Sequence, residues 1–222
     1  MSEPVSTRLR GQFITLEGTE GVGKSTNLEK VCEELAALGI DYFCTREPGG
    51  TAVAEKLRQI LLEPCAEQIH GITELLVVFA ARAQHINNEI QPRLARGQWV
   101  VCDRFTDATF AYQGYARGVN LDYVEQLEQW VQQGLQPDLT ILLDLDPALA
   151  MQRIAGRSKD RMEKEQLQFY QTVRDGYLQR AQQYSRFKII DAGAPIDQVA
   201  QQMTECVRQF VKTVAGIGSD SA

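Results

Sequence analysis

The chain has little of what builds metal clusters or cross-linked frameworks: five cysteines and two histidines among 222 residues. The cysteines, Cys32, Cys44, Cys65, Cys102 and Cys206, are odd in number and none is spaced as CxxC. A disulfide scaffold and a His/Cys zinc site are therefore not expected, and the thiols suit a reducing compartment. The N-terminal MSEPVSTRLR lacks the apolar centre of a secretory signal. The longest apolar run, LLVVFAA from Leu75 to Ala81, is far shorter than the ~20 residues of a membrane span. Positive charge is also scarce: 23 Lys and Arg against 29 Asp and Glu leave a net charge of -6, which argues against a general nucleic-acid binder. What these absences leave is a soluble cytoplasmic chain whose positive sites, if any, are local.

The patterning alternates strand and helix. Strands are expected at 12–17, 40–45, 99–103, 139–146 and 187–191. WVVCD and LTILLDLD are continuous apolar runs ending in acids, as parallel strands buried on both faces require. Helices are expected at 24–38, 51–62, 73–96 with a kink at Pro92, 121–133, 147–155, 163–184 and 195–214. The fold class is α/β, about five strands with helices on both faces. One domain spans 11–214, between disordered ends at 1–10 and 215–222.

Gly18 to Ser25 reads GTEGVGKS, matching G-x-x-x-x-G-K-[ST] between a strand and a helix. Glycines let backbone N–H groups turn toward phosphate oxygens, and the new helix adds its positive end. Lys24 supplies a charge to the β and γ phosphates and Ser25 a hydroxyl for Mg2+. The ATP-binding set is Gly18, Thr19, Gly21, Val22, Gly23, Lys24, Ser25 and Thr26. No third glycine follows at dinucleotide-fold spacing, and no Asn-Lys-x-Asp string of a GTPase is present.

Asp103 and Arg104, in CDRF at the end of the third strand, suit a metal-bound water and an acceptor phosphate respectively. Asp144 and Asp146 compete for the metal role; Asp103 is favoured because Asp-Arg accounts for both groups. RIAGRSKDRMEK (153–164) is a basic run within an acidic chain, read as a lid that closes over the phosphates. A carboxylate inside the phosphate loop, Glu20, is at first sight misplaced beside an anion.

FITLEGTEGVGKST, TREPGGT, FAARAQH, VVCDRFTDATFAYQG, PDLTILLDL and DRME together resemble the bacterial thymidylate kinases. The resemblance implies a five-stranded parallel sheet with a basic lid, usually a homodimer, that transfers the ATP γ-phosphoryl group to dTMP with Mg2+. The products are dTDP, on the way to dTTP, and ADP. It also implies a role for Glu20: the carboxylate turns from the triphosphate and accepts from the 3′-hydroxyl of the acceptor. Arg104 then grips the dTMP phosphate, Arg82 lines the nucleotide site and Tyr112 crowds out a 2′-hydroxyl. Thr109 reads the pyrimidine edge with Gln113 next to it, and Arg46 lies near the acceptor.

Two positions depart from the pattern. The base-stacking Phe of many relatives stands four residues before the helical arginine, whereas here Phe79 stands three before Arg82 and Val78 occupies the expected place. Phe79 is kept as the stacking residue, with core packing the alternative. The phosphate loop contains no arginine, which resembles the subgroup with lid arginines. Arg157 is the first choice for the catalytic one, alongside Lys24, Arg104 and Asp103. Arg153, an ATP contact, and Arg161 stand behind it.

Overall fold

The structure, a computed structural model, describes residues 10–64, 66–155, 161–162 and 165–216. Cys65, Arg157 and most of the expected lid, together with the end segments 1–9 and 217–222, lie outside the described residues.

Five parallel strands, β1 (Phe13–Glu17), β2 (Tyr42–Arg46), β3 (Trp99–Asp103), β4 (Leu139–Asp144) and β5 (Phe187–Asp191), lie in the order β2-β3-β1-β4-β5. β1 is central and buried along its whole length, so FITLE is not alternating but continuous. β3 and β4 flank it, and the loops after β1 and β3 open side by side at the carboxyl ends, where ligands enter such sheets.

On one face, α1 (Lys24–Ala37) and α9 (Ile196–Val214) cover a core of Ile14, Leu16, Val31, Leu35, Val101, Ile141, Met203 and Val207. On the other, α3 (Gly71–His85) continues through a π-helical turn at Ile86–Ile90 into α4 (Gln91–Ala95), burying Ile86, Ile90 and Leu94 against Phe13, Val100 and Phe105. α2 (Ala52–Leu62) packs on α3. No helix among the described residues is long and apolar enough to cross a membrane.

The expected single helix over 73–96 is thus three pieces. Gln91 N–H reaches back to Ile86 O, five residues away, and this wider turn lies just before Pro92, which has no N–H to donate. Between β3 and α6 (Leu121–Gln132) the chain forms α5 (Thr106–Thr109) and a π-helical segment, Phe110–Ala116. TDATFAYQGYA carries no periodic helical signal, because it is buried on several sides and contains Gly114. β4 stops at Asp144, two residues short of expectation, because Asp146 caps α7 (Pro147–Arg153), its side chain accepting from Ala148 N–H. α8 (Leu167–Gln183) then packs against the π segment. The apolar run at 75–79 mostly serves this chain's own core: Leu75, Val78 and Phe79 are buried and Leu76 is exposed.

Candidate active site

A cavity of about 480 Å3 opens at the carboxyl ends of β1, β2 and β3. One end is the phosphate loop, with Gly21, Gly23, Lys24, Ser25 and Thr26 in its wall. The loop is tight. Gly18 (φ 138°) and Gly21 (φ 76°) have left-handed backbones, and a Cβ at either would sit 2.5 Å from Leu143 O or 2.3 Å from Ala150 O. Lys24 Nζ donates to Thr19 O at 2.8 Å and Gly18 O at 3.2 Å, which holds it across the loop. Burial lowers its pKa, Arg104 adds to that, and the nearby carboxylates oppose it. Gly18, Thr19 and Val22 do not line the cavity: the first two supply carbonyls to Lys24, and Val22 packs into the core beneath.

Glu20 points out of the loop. Its Oε1 accepts from Arg104 Nη2 at 2.8 Å and from Tyr112 OH at 3.2 Å, and its Oε2 lies 3.6 Å from Lys24 Nζ. Burial works against ionisation here, but Arg104 and Lys24 outweigh it and hold the carboxyl at about 2. Arg104 itself has φ 68°, unusual for a side chain with a Cβ. That conformation sends the guanidinium back over β1, where Nη1 donates to Gly18 O (2.8 Å) and Tyr177 OH (2.9 Å). Tyr177 OH donates in turn to Glu17 Oε2 at 2.8 Å, and Phe105 N–H to Glu17 Oε1 at 2.7 Å. Glu17 is fully buried, and burial, then the charge of Asp107, raises its carboxyl to about 7.

Asp103 also lines the cavity, with Oδ1 buried and lacking a hydrogen-bond partner. The competing acids are engaged elsewhere: Asp144 pairs with Arg174 at 2.6 Å, and Asp146 caps α7. Arg153 lines the cavity and donates to Ala192 O at 3.0 Å.

The far wall carries Val78, Arg82, Thr109, Tyr112 and Gln113. Arg82 is almost wholly buried, donating from Nε to Glu47 Oε2 (2.7 Å) and from Nη2 to Thr109 Oγ1 (2.9 Å), while Nη1 has no partner. Phe79 is corrected. It is absent from the cavity wall and buried with Leu75, Phe110 and Val124, its ring 4.8 Å from the Arg82 guanidinium carbon. The reason is helical phase: residues 74, 78 and 82 share one face of α3, and position 79 turns inward. Arg46 lines the rim, half-exposed and paired with Glu55 at 3.1 Å.

Four wall or support residues escaped sequence reasoning. Arg58 on α2 lines the cavity and donates to Pro48 O at 2.8 Å. Glu47, joined to Pro48 by a cis peptide, orients Arg82 and contacts His85. Glu74, four residues before Val78, is the one that helical spacing could have revealed. Tyr177 lies 73 residues from its partner Arg104 and has no local signal.

With this geometry in view, the comparisons with known proteins are direct. Residues 16–203 match the family model described as thymidylate kinase. The chain belongs to the thymidylate kinase family. A thymidylate kinase of Teredinibacter turnerae is 50% identical over 205 residues, 91% of this chain and 100% of the relative. One of Chromohalobacter salexigens is 54% identical over 193 residues, 85% of this chain and 91% of the relative. One of Methylobacillus flagellatus is 48% identical over 204 residues, 91% and 99% of the two chains. The thymidylate kinase assignment makes the chain a nucleoside monophosphate kinase and a transferase, and the family's reaction is the phosphorylation of dTMP.

Proposed function

We propose that the chain moves the γ-phosphoryl group of ATP to dTMP within this one cavity, and that Glu20, Arg104 and Tyr112 seat the acceptor at the transfer point. The observation that carries the reading is the carboxylate of Glu20. It turns from the phosphate loop toward Arg104 and Tyr112, between the triphosphate end and the Arg82–Thr109–Gln113 wall. There it is ready to accept from a sugar hydroxyl.

An oxygen of the dTMP phosphate attacks the γ-phosphorus, the bond to the bridging oxygen breaks, and that oxygen leaves with the electron pair on ADP. The acceptor is a phosphate monoester, mostly dianionic near neutrality since its second pKa is ~6, so no general base is required. The chain must instead hold two anions in line. Lys24 faces the β and γ phosphates. Arg104 has five donors, three of which are used internally, which leaves two for the acceptor phosphate. Ser25 and Asp103 fit Mg2+: the buried, unpartnered Asp103 Oδ1 suits a hard cation or its bound water. When bound, Mg2+ neutralises charge on the β and γ oxygens.

Arg161 is committed to Leu61 O at 2.7 Å and Glu74 at 2.8 Å. Arg157 is therefore the proposed catalytic lid arginine, with Arg153 on the ATP side. Arg157→Ala should lower kcat about 10³-fold or more and leave dTMP affinity nearly unchanged; an unaltered kcat removes it from the mechanism. We also propose a cytoplasmic homodimer, formed by the exposed side chains of Ile60, Ile72, Leu76, Tyr123 and Trp130.

The deciding experiment is ADP release from ATP-Mg2+ with dTMP, dUMP, UMP, dCMP or AMP, and with no acceptor. Turnover favouring dTMP, weaker with dUMP and absent with UMP, supports the assignment and the sugar-reading roles. Turnover indifferent to acceptor leaves only an ATP hydrolase.

A further inference from the structure

One group on the far wall has no part in phosphoryl transfer. Glu74 is fully buried on the cavity-facing side of α3. Its Oε2 accepts from Gln113 Nε2 at 3.2 Å and Arg117 Nε at 3.1 Å, and its Oε1 lies 2.8 Å from Arg161 Nη2. A carboxylate paired with two guanidinium groups accepts hydrogen bonds and donates none. The Gln113 amide therefore has one workable orientation: NH2 toward Glu74, and Oε1 left as the acceptor for whatever occupies the cavity.

The neighbouring groups have the opposite polarity. Arg82 spends Nε on Glu47 and Nη2 on Thr109, leaving Nη1 as a buried donor without a partner. Thr109 Oγ1 already accepts from Arg82, so its own proton is available to donate. An acceptor beside donors complements a ring edge that carries N–H next to C=O, as thymine and uracil do at N3 and O4. Cytosine has the reverse order, a bare N3 next to an amino group. In this wall it would set acceptor against acceptor and donor against donor. Buried polar groups left unpaired in this way give strong rejection.

We propose that Glu74 is a positioning residue for base selection: by accepting from Gln113 Nε2 it fixes the polarity of that amide and so makes the site reject cytosine. The proposal rests on reading Arg82, Thr109 and Gln113 as the base wall.

The test compares kcat/KM for dTMP, dUMP and dCMP in the full-length wild type and Glu74→Gln, with dCMP inhibition constants where turnover is too low to follow. A wild type that does not prefer dTMP to dCMP overturns the base-wall reading itself, before Glu74 is considered. Given that preference, Glu74→Gln lets the Gln113 amide rotate, and the dTMP-to-dCMP ratio should fall about tenfold or more, with dUMP following dTMP. Loosened packing alone would lower all three together; an unchanged ratio overturns the proposal, as does dUMP separating from dTMP. Should Glu74→Gln fail to fold, Glu74→Asp keeps the charge beside Arg117 and Arg161 and retracts it from Gln113, so the ratio should shift in the same direction. The route is checked in Gln113→Leu, where adding a Glu74 substitution should not move the ratio further. A further shift there would mean that Glu74 acts by another path.

Discussion

Arg104 and Glu17 show how much of the site depends on single residues working against their own preferences. Arg104 takes a left-handed backbone that costs on the order of 1–3 kcal/mol, and Gly18 O, Glu20 and Tyr177 hold the resulting side-chain direction. Arg104→Lys keeps the charge and the backbone conformation but loses the fork. Its kcat/KM for dTMP should drop about 10- to 100-fold with little change in the KM for ATP, read from steady-state kinetics with each substrate varied. Glu17 titrates at about 7 against an ordinary 4.5. The native state binds its proton more tightly than the unfolded chain does, so stability falls as pH rises from about 4.5 through about 7 and is level above. Glu20 works in the opposite sense and in a lower window: its contribution is full above 4.5 and is lost as pH falls toward about 2. Glu17→Gln should therefore remove up to about 3 kcal/mol of the stability lost between about pH 5 and pH 8, measured as urea midpoints at each pH. A wild-type slope that persists in the variant would assign it to another group.

At the scale of elements, the sheet was the most legible part of the fold and the segment after β3 the least. Continuous apolar strands ending in Asp or Glu announce a parallel sheet, and GKS after glycines places the loop between strand and helix. The run of Phe110–Ala116 depends on contacts that no local period encodes, chiefly with α8. Those contacts are close. A Cβ on Gly176 would lie 2.7 Å from Tyr115 Cδ2 and 3.1 Å from Ala111 Cα. Gly176→Ala gains helix propensity of up to about 1 kcal/mol, yet overpacking costs about 1–3 kcal/mol, so the melting temperature should fall by a few degrees. A rise would show that α8 can move away without loss. The candidate site was legible in the same uneven way. Glu20, Arg82, Thr109, Tyr112 and Gln113 stand in short recognisable strings, whereas their supports come from elsewhere. Glu47 is 35 residues from Arg82, and Glu74 is 39 from Gln113. Phe79 was misread because one residue of helical phase separates a cavity wall from a core.

At the scale of the whole molecule, the proposed dimer draws on some of the exposed apolar side chains. Ile60 on α2, Ile72 and Leu76 on α3, and Tyr123 and Trp130 on α6 belong to three helices that pack in sequence, α2 on α3 and α3 on α6. The proposed dimer would bury these side chains. Leu76→Glu, at a side chain 53% exposed, should convert the proposed dimer to monomer in sedimentation velocity while leaving the far-ultraviolet spectrum intact. A wild type that sediments as a monomer would dismiss the dimer outright. The strand direction has a practical corollary. The cavity lies at the carboxyl ends, whereas Gly11 is bonded to Leu94 O ahead of β1. Trp99, the first residue of β3, meets Phe210 near the end of α9 edge-on at 5.7 Å. Both ends of the described chain thus leave from the side opposite the substrate entrance. A fluorescent partner or an immobilising tether joined at Arg10 or Gly216 would hang from the back of the enzyme and leave nucleotides free to come and go.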